Sequence, residues 1–230
     1  MTDDGRLGIP KELLPVLYSA GMTILDSENN DADRRFQAST GILVASPEHF
    51  TAWNERKRWT KRKLSCPGVD SRVENELDFN AVLLTLAPKS CEAWFHRRWL
   101  LRQEGNLGTV KVRNREEKLC LFAAKRAKAN YYAWTHRILY TLGTNNEEKD
   151  TEKRISEGRH FLQRNISDSS AYHFQRVLLH QLSNNKVNDK DYIRQVIQKE
   201  CEFSLALAQR YSNVQCPKIH SRLCQSLLSQ

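Results

Sequence analysis

Cationic, histidine and cysteine side chains are the residues in this sequence whose types could do chemistry. Lys and Arg total 36 against 27 Asp and Glu, which gives a net charge of +9. The densest cluster is RKRWTKRK at 56–63, whose cations could contact phosphates or complement the negative end of a helix dipole. We favour the helix-end interpretation and predict no nucleic-acid partner, because no nucleic-acid-binding fold signature accompanies the charge.

The histidines and cysteines show no spacing typical of a metal site. The six cysteines include no Cys-x-x-Cys pair, and the seven histidines have no cysteine or carboxylate partner at zinc-ligand spacing. We therefore predict that this chain holds no metal and that its thiols are reduced.

An aromatic and cationic motif recurs along the chain with a period of 38 to 41 residues. Its copies are AWNERKRW at 52–59, AWFHRRWL at 93–100, AWTHRILY at 133–140 and the weaker AYHFQRVLL at 171–179. A fixed period of this size is typical of stacked helical repeats. It predicts an all-α fold, a right-handed α-α superhelix built from antiparallel helix pairs.

The motif residues share one stripe of a helix. Trp94 and Arg97 stand three residues apart, so both face a neighbouring helix. A buried guanidinium must find carbonyls or a carboxylate, since leaving it without partners costs several kcal/mol. We interpret the motif side chains as structural, each Arg holding the adjacent helix or loop: Trp53, Arg56, Trp94, Arg97, Trp134, Arg137 and Tyr172.

The repeats divide the chain into three parts. Residues 1–32 form a lead-in, 33–182 hold four repeats, and 183–230 hold a degenerate fifth helix pair or cap. Ser46-Pro47, Ser90 and Asn130 are predicted to begin the motif helices. In the fourth copy Gln175 replaces the arginine, and the fifth has a proline where a helix should be under way, with His220 and Arg222 as remnants.

The sequence also supports expectations about the cellular location of the protein and about its C-terminal segment. The start of the chain lacks the features of a signal peptide, and no long apolar run follows, so a cytoplasmic location is expected. The segment CEFSLALAQRYSNVQC at 201–216 is an unconvincing polar cap, which leaves open that the sequence is a truncated form.

Residues 33–182 resemble the repeats of protein prenyltransferase alpha subunits, on the strength of AWFHRRWL and AWTHRILY at this period. The resemblance implies a non-catalytic alpha subunit, inactive alone, that embraces a beta subunit of the Rab geranylgeranyltransferase type. Zinc would be held by that beta subunit, where a substrate cysteine thiolate attacks an isoprenoid diphosphate. The acceptors implied are small GTPases and SNARE-type proteins.

The resemblance also assigns three candidate site residues. The family motif Lys-Asn-Tyr-x-x-Trp falls on KSCEAW at 89–94, which implies that Lys89 stabilises the leaving diphosphate. The motif Asn-Tyr-His-Ala-Trp falls on NYYAW at 130–134, which implies substrate binding by Tyr131 and Tyr132. Tyr132 stands where the family usually has a diphosphate-contacting histidine, and a phenol donates a hydrogen bond without a positive charge.

Two alternatives remain open at this point. Without the family, Lys89 is an ordinary surface lysine and the two tyrosines are packing residues at a helix start. The whole chain could equally be a helical-repeat scaffold that binds a small GTPase or another acidic partner without chemistry.

Overall fold

The computed structural model describes residues 9–28, 31–63, 69–103, 110–142, 148–184 and 189–229. The chain forms two compact units, residues 1–127 and 128–230. The predicted division into a lead-in, four repeats and a cap stays a prediction.

All regular secondary structure in the described ranges is helical. The first unit contains α1 (Leu13–Asp26), α2 (Ala32–Ala45), α3 (Phe50–Lys63), α4 (Val69–Leu86), α5 (Cys91–Gln103) and α6 (Val110–Arg126). The second contains α7 (Tyr131–Leu142), α8 (Glu148–Arg164), α9 (Ser169–Ser183), α10 (Lys190–Arg210) and α11 (Gln215–Leu228). The predicted lead-in contains a complete helix, α1, which packs against α2.

Even-numbered helices from α2 to α10 are called A-helices here, and odd-numbered helices from α3 to α11 are called B-helices. Within each unit an A-helix packs against the B-helix that follows it: α2 against α3, α4 against α5, α8 against α9 and α10 against α11. B-helices also pack against each other, α3 on α5 in the first unit and α9 on both α7 and α11 in the second. This arrangement confirms the predicted fold class, an α-α superhelix of helix pairs.

Four B-helices begin with the same hydrogen bond. A side chain four residues before the motif aromatic accepts from the main-chain N–H three residues later, and the four capping residues are His49, Ser90, Asn130 and Asp168. The predictions for Ser90 and Asn130 are confirmed. The prediction for Ser46-Pro47 is wrong, because Ser46 ends α2 and α3 begins at Phe50. Histidine is not among the preferred capping residues, whereas Ser followed by Pro is a strong start signal.

The fifth helix pair is complete despite its proline. Pro217 lies in the first turn of α11, where a main-chain N–H has no intrahelical partner, so its missing hydrogen costs little. His220 lies on the buried face of this helix. The degenerate sequence therefore still folds as a helix pair.

The motif aromatic residues form the contacts between successive B-helices. Trp53, Trp94, Trp134 and Tyr172 are all at most 2% exposed. Ring centroids lie 4.5 Å apart for Trp53 and His96, 5.3 Å for Trp134 and Phe174, and 5.3 Å for Tyr172 and His220. Each contact joins a motif aromatic residue to the next B-helix, which explains why one repeat alone could not bury these rings.

Candidate functional site

The motif arginine of the second repeat is held on two sides. Arg97 donates from Nε and Nη2 to the two carboxylate oxygens of Glu116, at 2.6 and 2.7 Å, and from Nη1 to the Leu77 carbonyl at 2.9 Å. Both charged side chains are 1% exposed. We call this arrangement a clasp: a donor on a B-helix that bonds a carbonyl 20 residues earlier and a carboxylate about 20 residues later.

The clasp recurs in the neighbouring repeats. Arg56 donates to both carboxylate oxygens of Glu76, and its guanidinium lies between the rings of Phe36 and Phe79, at 4.1 and 4.0 Å from their centroids. In the second unit, Arg137 donates to Glu157 at 3.0 Å, which is the carboxylate half of the clasp. These guanidinium groups are buried and bond carboxylates of other helices. Their role is therefore to join helices.

The fourth repeat builds the clasp from a different residue. Gln175 donates from Nε2 to the Ile155 carbonyl at 3.0 Å and to Glu200 at 3.1 Å. His220 Nε2 lies 2.9 Å from the same Glu200 oxygen. The substitution of Gln175 for arginine, which looks like decay in the sequence, thus preserves the connection between helices.

Gly158 leaves the space that the Gln175 side chain fills. A Cβ atom at Gly158 would lie 2.3 Å from Gln175 Oε1, and Gln175 is fully buried and hydrogen-bonded. We expect Gly158→Ala to lower the free energy of unfolding by about 1–3 kcal/mol, since the side chain cannot move without losing its partners. Gly41→Ala in α2 is the matched control: its Cβ would meet ordinary contacts, and we expect a gain of about 0.5–1 kcal/mol. Urea unfolding of both variants checks the difference, and equal effects would contradict this account.

Glu76 also contacts a buried histidine from the next repeat. His96 Nε2 lies 2.9 Å from Glu76 Oε1, and His96 Nδ1 has no hydrogen-bond partner in the described part of the chain. Burial lowers the pKa of His96 below its ordinary value of 6.5, against the opposing attraction of Glu76. Burial would raise the pKa of Glu76, but hydrogen bonds from His96 and Arg56 outweigh it and lower that pKa to about 2. His96 is therefore neutral and donates from Nε2.

The buried pair makes stability depend on pH. Below pH 6.5 the unfolded chain protonates His96 while the folded chain does not, so stability falls as pH drops from 7 to 5. Glu76 adds a second loss between pH 4.5 and about 2. We expect His96→Gln to flatten the pH dependence between 7 and 5 by up to about 1.4 kcal/mol per pH unit. Unfolding free energies across this range test it, with the exposed His180→Gln as control. An unchanged slope in His96→Gln would contradict the assignment.

Lys89 lies exposed in the turn between α4 and α5. Its neighbours fix that turn: the Pro88 carbonyl accepts from Trp94 Nε1 at 2.9 Å, and Ser90 Oγ donates to the Pro47 carbonyl of the preceding turn at 3.3 Å. Within the described ranges Lys89 forms no ion pair. The lysine is therefore a cation on a well-braced turn with its amine open to solvent.

Tyr131 and Tyr132 begin α7 in the second unit. Their rings meet edge to face with centroids 5.5 Å apart; Tyr131 is 61% exposed, whereas Tyr132 is half-buried. The turn before them is held by Asp168, which accepts from the Ala129 N–H at 3.0 Å. Tyr131 thus presents its phenol to solvent at the start of a B-helix.

A cavity of about 290 Å³ adjoins Tyr131. It is lined by side chains from the first turns of α7 and α9: Tyr131, Trp134, Thr135, Ser169, Ser170 and His173. His173 follows the motif residue Tyr172 directly, and it is exposed. Hydroxyl groups and an imidazole therefore surround a largely apolar floor.

The sequence interpretation did not identify two groups of residues. The carboxylates of the clasps are one, although a Glu stands 19 or 20 residues after each motif Arg. The other group is His173 with Ser169 and Ser170. Its sequence signal was that His173 stands one residue after the motif aromatic Tyr172. Lys89 lies in the first unit, and Tyr131 and Tyr132 lie together in the second.

The packed helix pairs and the repeated clasp define a helical-repeat protein of the α-α superhelix class. The family profile of the protein prenyltransferase alpha subunit repeat matches residues 73–104. The human protein prenyltransferase alpha subunit repeat-containing protein 1 is 31% identical over 183 residues, which cover 71% of this chain and 44% of that protein. The human geranylgeranyl transferase type-2 subunit alpha is 28% identical over 151 residues, which cover 64% of this chain and 25% of that protein.

This chain belongs to the protein prenyltransferase alpha subunit repeat family. It spans less than half the length of the human relatives it matches. A solved structure with the same fold is Candida albicans protein geranylgeranyltransferase-I complexed with GGPP, with a TM-score of 0.58 and 15% identity, covering 96% of this chain and 79% of that one.

The described residues contain no helix long and apolar enough to cross a membrane. They also bring together no group of three or more His, Cys, Asp or Glu side chains that could hold a metal ion.

Proposed function

We propose that this chain is the alpha-type, non-catalytic subunit of a heterodimeric protein prenyltransferase that transfers a geranylgeranyl group to C-terminal cysteines. The observation that carries the proposal is Lys89, an exposed cation on a braced turn, at the family's lysine position. Membership of the repeat family supports a beta subunit as the kind of partner. The Rab type of that subunit, and Rab-type and SNARE-type acceptors, belong to the proposal.

Lys89 would act on the leaving group. When the carbon–oxygen bond of a prenyl diphosphate breaks, negative charge develops on the departing oxygens, and a fixed cation beside them stabilises the transition state more than the ground state. The bracing of the turn by Trp94 and Ser90 holds the lysine backbone in place, so little ordering is needed at the moment of reaction. The reacting thiolate would be bound by zinc in the beta subunit.

Tyr131 would bind the prenyl diphosphate, as its place in the family motif implies. Its phenol is exposed and borders the cavity at the start of α9. It can donate one hydrogen bond to a diphosphate oxygen. Tyr132 is half-buried against Tyr131, and its contribution would be mainly to hold that ring.

Co-expression with a geranylgeranyltransferase type-2 beta subunit tests the proposal. We expect a one-to-one complex on size exclusion and transfer from geranylgeranyl diphosphate to Rab-type or SNARE-type C-termini. Neither subunit alone should support transfer. A folded chain that does not co-elute with the beta subunit would overturn the proposal.

A second candidate function is a repeat scaffold without a part in transfer. The observation that favours it is Tyr132, a neutral and half-buried residue at the position of the family's diphosphate-contacting histidine. In this case the chain would bind a small GTPase or another acidic partner. Co-elution with a beta subunit without transfer, under conditions where a known alpha subunit supports it, would favour this candidate.

A further inference from the structure

One face of the first unit carries cations at matching positions of two neighbouring B-helices. On α3, residues 50, 57 and 61 share a stripe, and on α5 the corresponding stripe contains residues 95, 98 and 102. Because α3 and α5 pack side by side, the two stripes form one surface. We call it the basic face; its residues are Phe50, Lys57, Lys61, Phe95, Arg98 and Arg102.

Much of this charge is not neutralised within the chain. Among the residues that the structure describes, Lys57, Lys61 and Arg102 form no ion pair, and Lys61 and Arg102 are exposed. Glu55, the one carboxylate of α3, is buried and bonded by Arg35 and Arg58. The helix-end role predicted for the cluster fits Lys61, Arg62 and Lys63, which lie in the last turn of α3, and Arg102 likewise lies in the last turn of α5; it does not account for Lys57 or Arg98.

Two exposed phenylalanines accompany the cations. Phe50 is 62% exposed and Phe95 is 51% exposed, and the Arg98 guanidinium lies over the Phe95 ring at 4.4 Å. Exposed aromatic rings beside cations are favourable anchors in protein interfaces. The basic face therefore offers both charge and apolar area.

Equivalent positions in the second unit have a different character. On α7 the corresponding residues include Tyr131 and Thr135, and on α11 they include Ile219. Single cations, Arg176 on α9 and Arg222 on α11, occupy the position that Lys57 has on α3. A run of cations at this register is thus a property of α3 and α5, and the repeat architecture as such does not require it.

We propose that the basic face binds an acidic, amphipathic helical segment of a partner protein. Lys57, Lys61 and Arg102 complement carboxylates, and Phe50 and Phe95 receive apolar side chains from the same segment. A nucleic acid fits less well, because its affinity comes mainly from phosphate contacts and this face has few cations to make them. The inference does not rest on the prenyltransferase proposal, since its readout is binding by this chain alone.

Fluorescence anisotropy with a labelled peptide tests the inference. The probe is a helix of about 20 residues with leucines on one face and glutamates on the others, and its matched control carries glutamine for every glutamate. We expect the full chain to bind the glutamate peptide at least about tenfold more tightly than the glutamine peptide. We also expect this preference to weaken as salt is raised.

Charge reversal locates the binding surface. The exposed pair K61E/R102E should weaken peptide binding at least about tenfold, whereas R176E/R222E, with the same change in net charge, should leave it within about twofold. Circular dichroism and thermal unfolding would establish that both variants fold. F95S should also weaken binding, because its ring is the exposed anchor beside Arg98.

Three results would overturn the inference. One is equal binding of the glutamate and glutamine peptides; another is equal loss in the two charge-reversal variants. The third is tighter binding of duplex nucleic acid, or of vesicles containing phosphatidylserine, than of the glutamate peptide.

Discussion

Arg97→Met is expected to lower the free energy of unfolding by about 3–5 kcal/mol. The substitution removes a guanidinium that donates twice to Glu116 and once to the Leu77 carbonyl, while Glu116 stays 1% exposed. A buried carboxylate that loses its bidentate partner has weaker compensation for its lost hydration, even with Arg115 Nε 3.3 Å from Glu116 Oε1. The expected loss of unfolding free energy therefore comes more from the cost of burying the Glu116 carboxylate with fewer partners than from the lost attraction to Arg97.

Urea unfolding followed by circular dichroism measures this effect. Arg58→Ala is the control, because Arg58 is 65% exposed and Glu55 keeps Arg35 as a partner; we expect a change within about 0.5 kcal/mol. The double variant Arg97→Met/Glu116→Leu should recover most of the stability, since both charges are removed together. A double variant no more stable than Arg97→Met would show that the buried Glu116 carboxylate is not the cause of the destabilisation.

Periodicity predicted the helical fold because each repeat buries the same kind of side chain. Trp94 and Arg97 share one face of a helix in the sequence, and in the structure that face meets the neighbouring helices. The requirement for a partner followed from the cost of burying a guanidinium. The identity of that partner did not follow, because Glu116 belongs to the next helix, α6, and the motif does not determine how that helix packs.

Local sequence signals were less reliable where tertiary contacts determine the helix boundary or the hydrogen-bond partner. Ser46-Pro47 has the composition of a helix start, yet α2 ends there and His49 caps α3. Gln175 reads as a lost motif arginine, yet it bonds Glu200, because an amide can donate in the place of a guanidinium. What persists from repeat to repeat is a donor facing a carboxylate, and several residue types satisfy that need.

The candidate site residues show the same difference between local sequence signals and tertiary contacts. Lys89 and Tyr131 were located by a motif and its register, and the structure leaves both side chains exposed at the starts of B-helices. His173 borders the cavity beside Tyr131 only because α9 packs against α7, a contact that no local pattern announces. Residues contributed by a neighbouring repeat thus need the fold before they can be assigned to a site.

Lys89→Ala is expected to lower the turnover of the complex with a beta subunit about 100-fold, with assembly intact. The lysine is exposed and unpaired within the described residues, so its removal should not affect folding. The loss should fall on the chemical step, because charge on the diphosphate oxygens grows as the carbon–oxygen bond breaks. Lys89→Arg should lose less activity, since it keeps the charge while changing its geometry.

Glu48→Ala provides the matched control for this experiment. Glu48 occupies the same position in the preceding turn, five residues before Trp53, as Lys89 does before Trp94, and both side chains are exposed. We expect Glu48→Ala to leave turnover unchanged, measured under single-turnover conditions with complex stoichiometry checked by size exclusion. Equal turnover for Lys89→Ala and the wild type would remove Lys89 from the mechanism while leaving the subunit role intact. Equal losses in both variants would assign the effect to the turns themselves, and a loss confined to Lys89→Ala would locate the function in its charge.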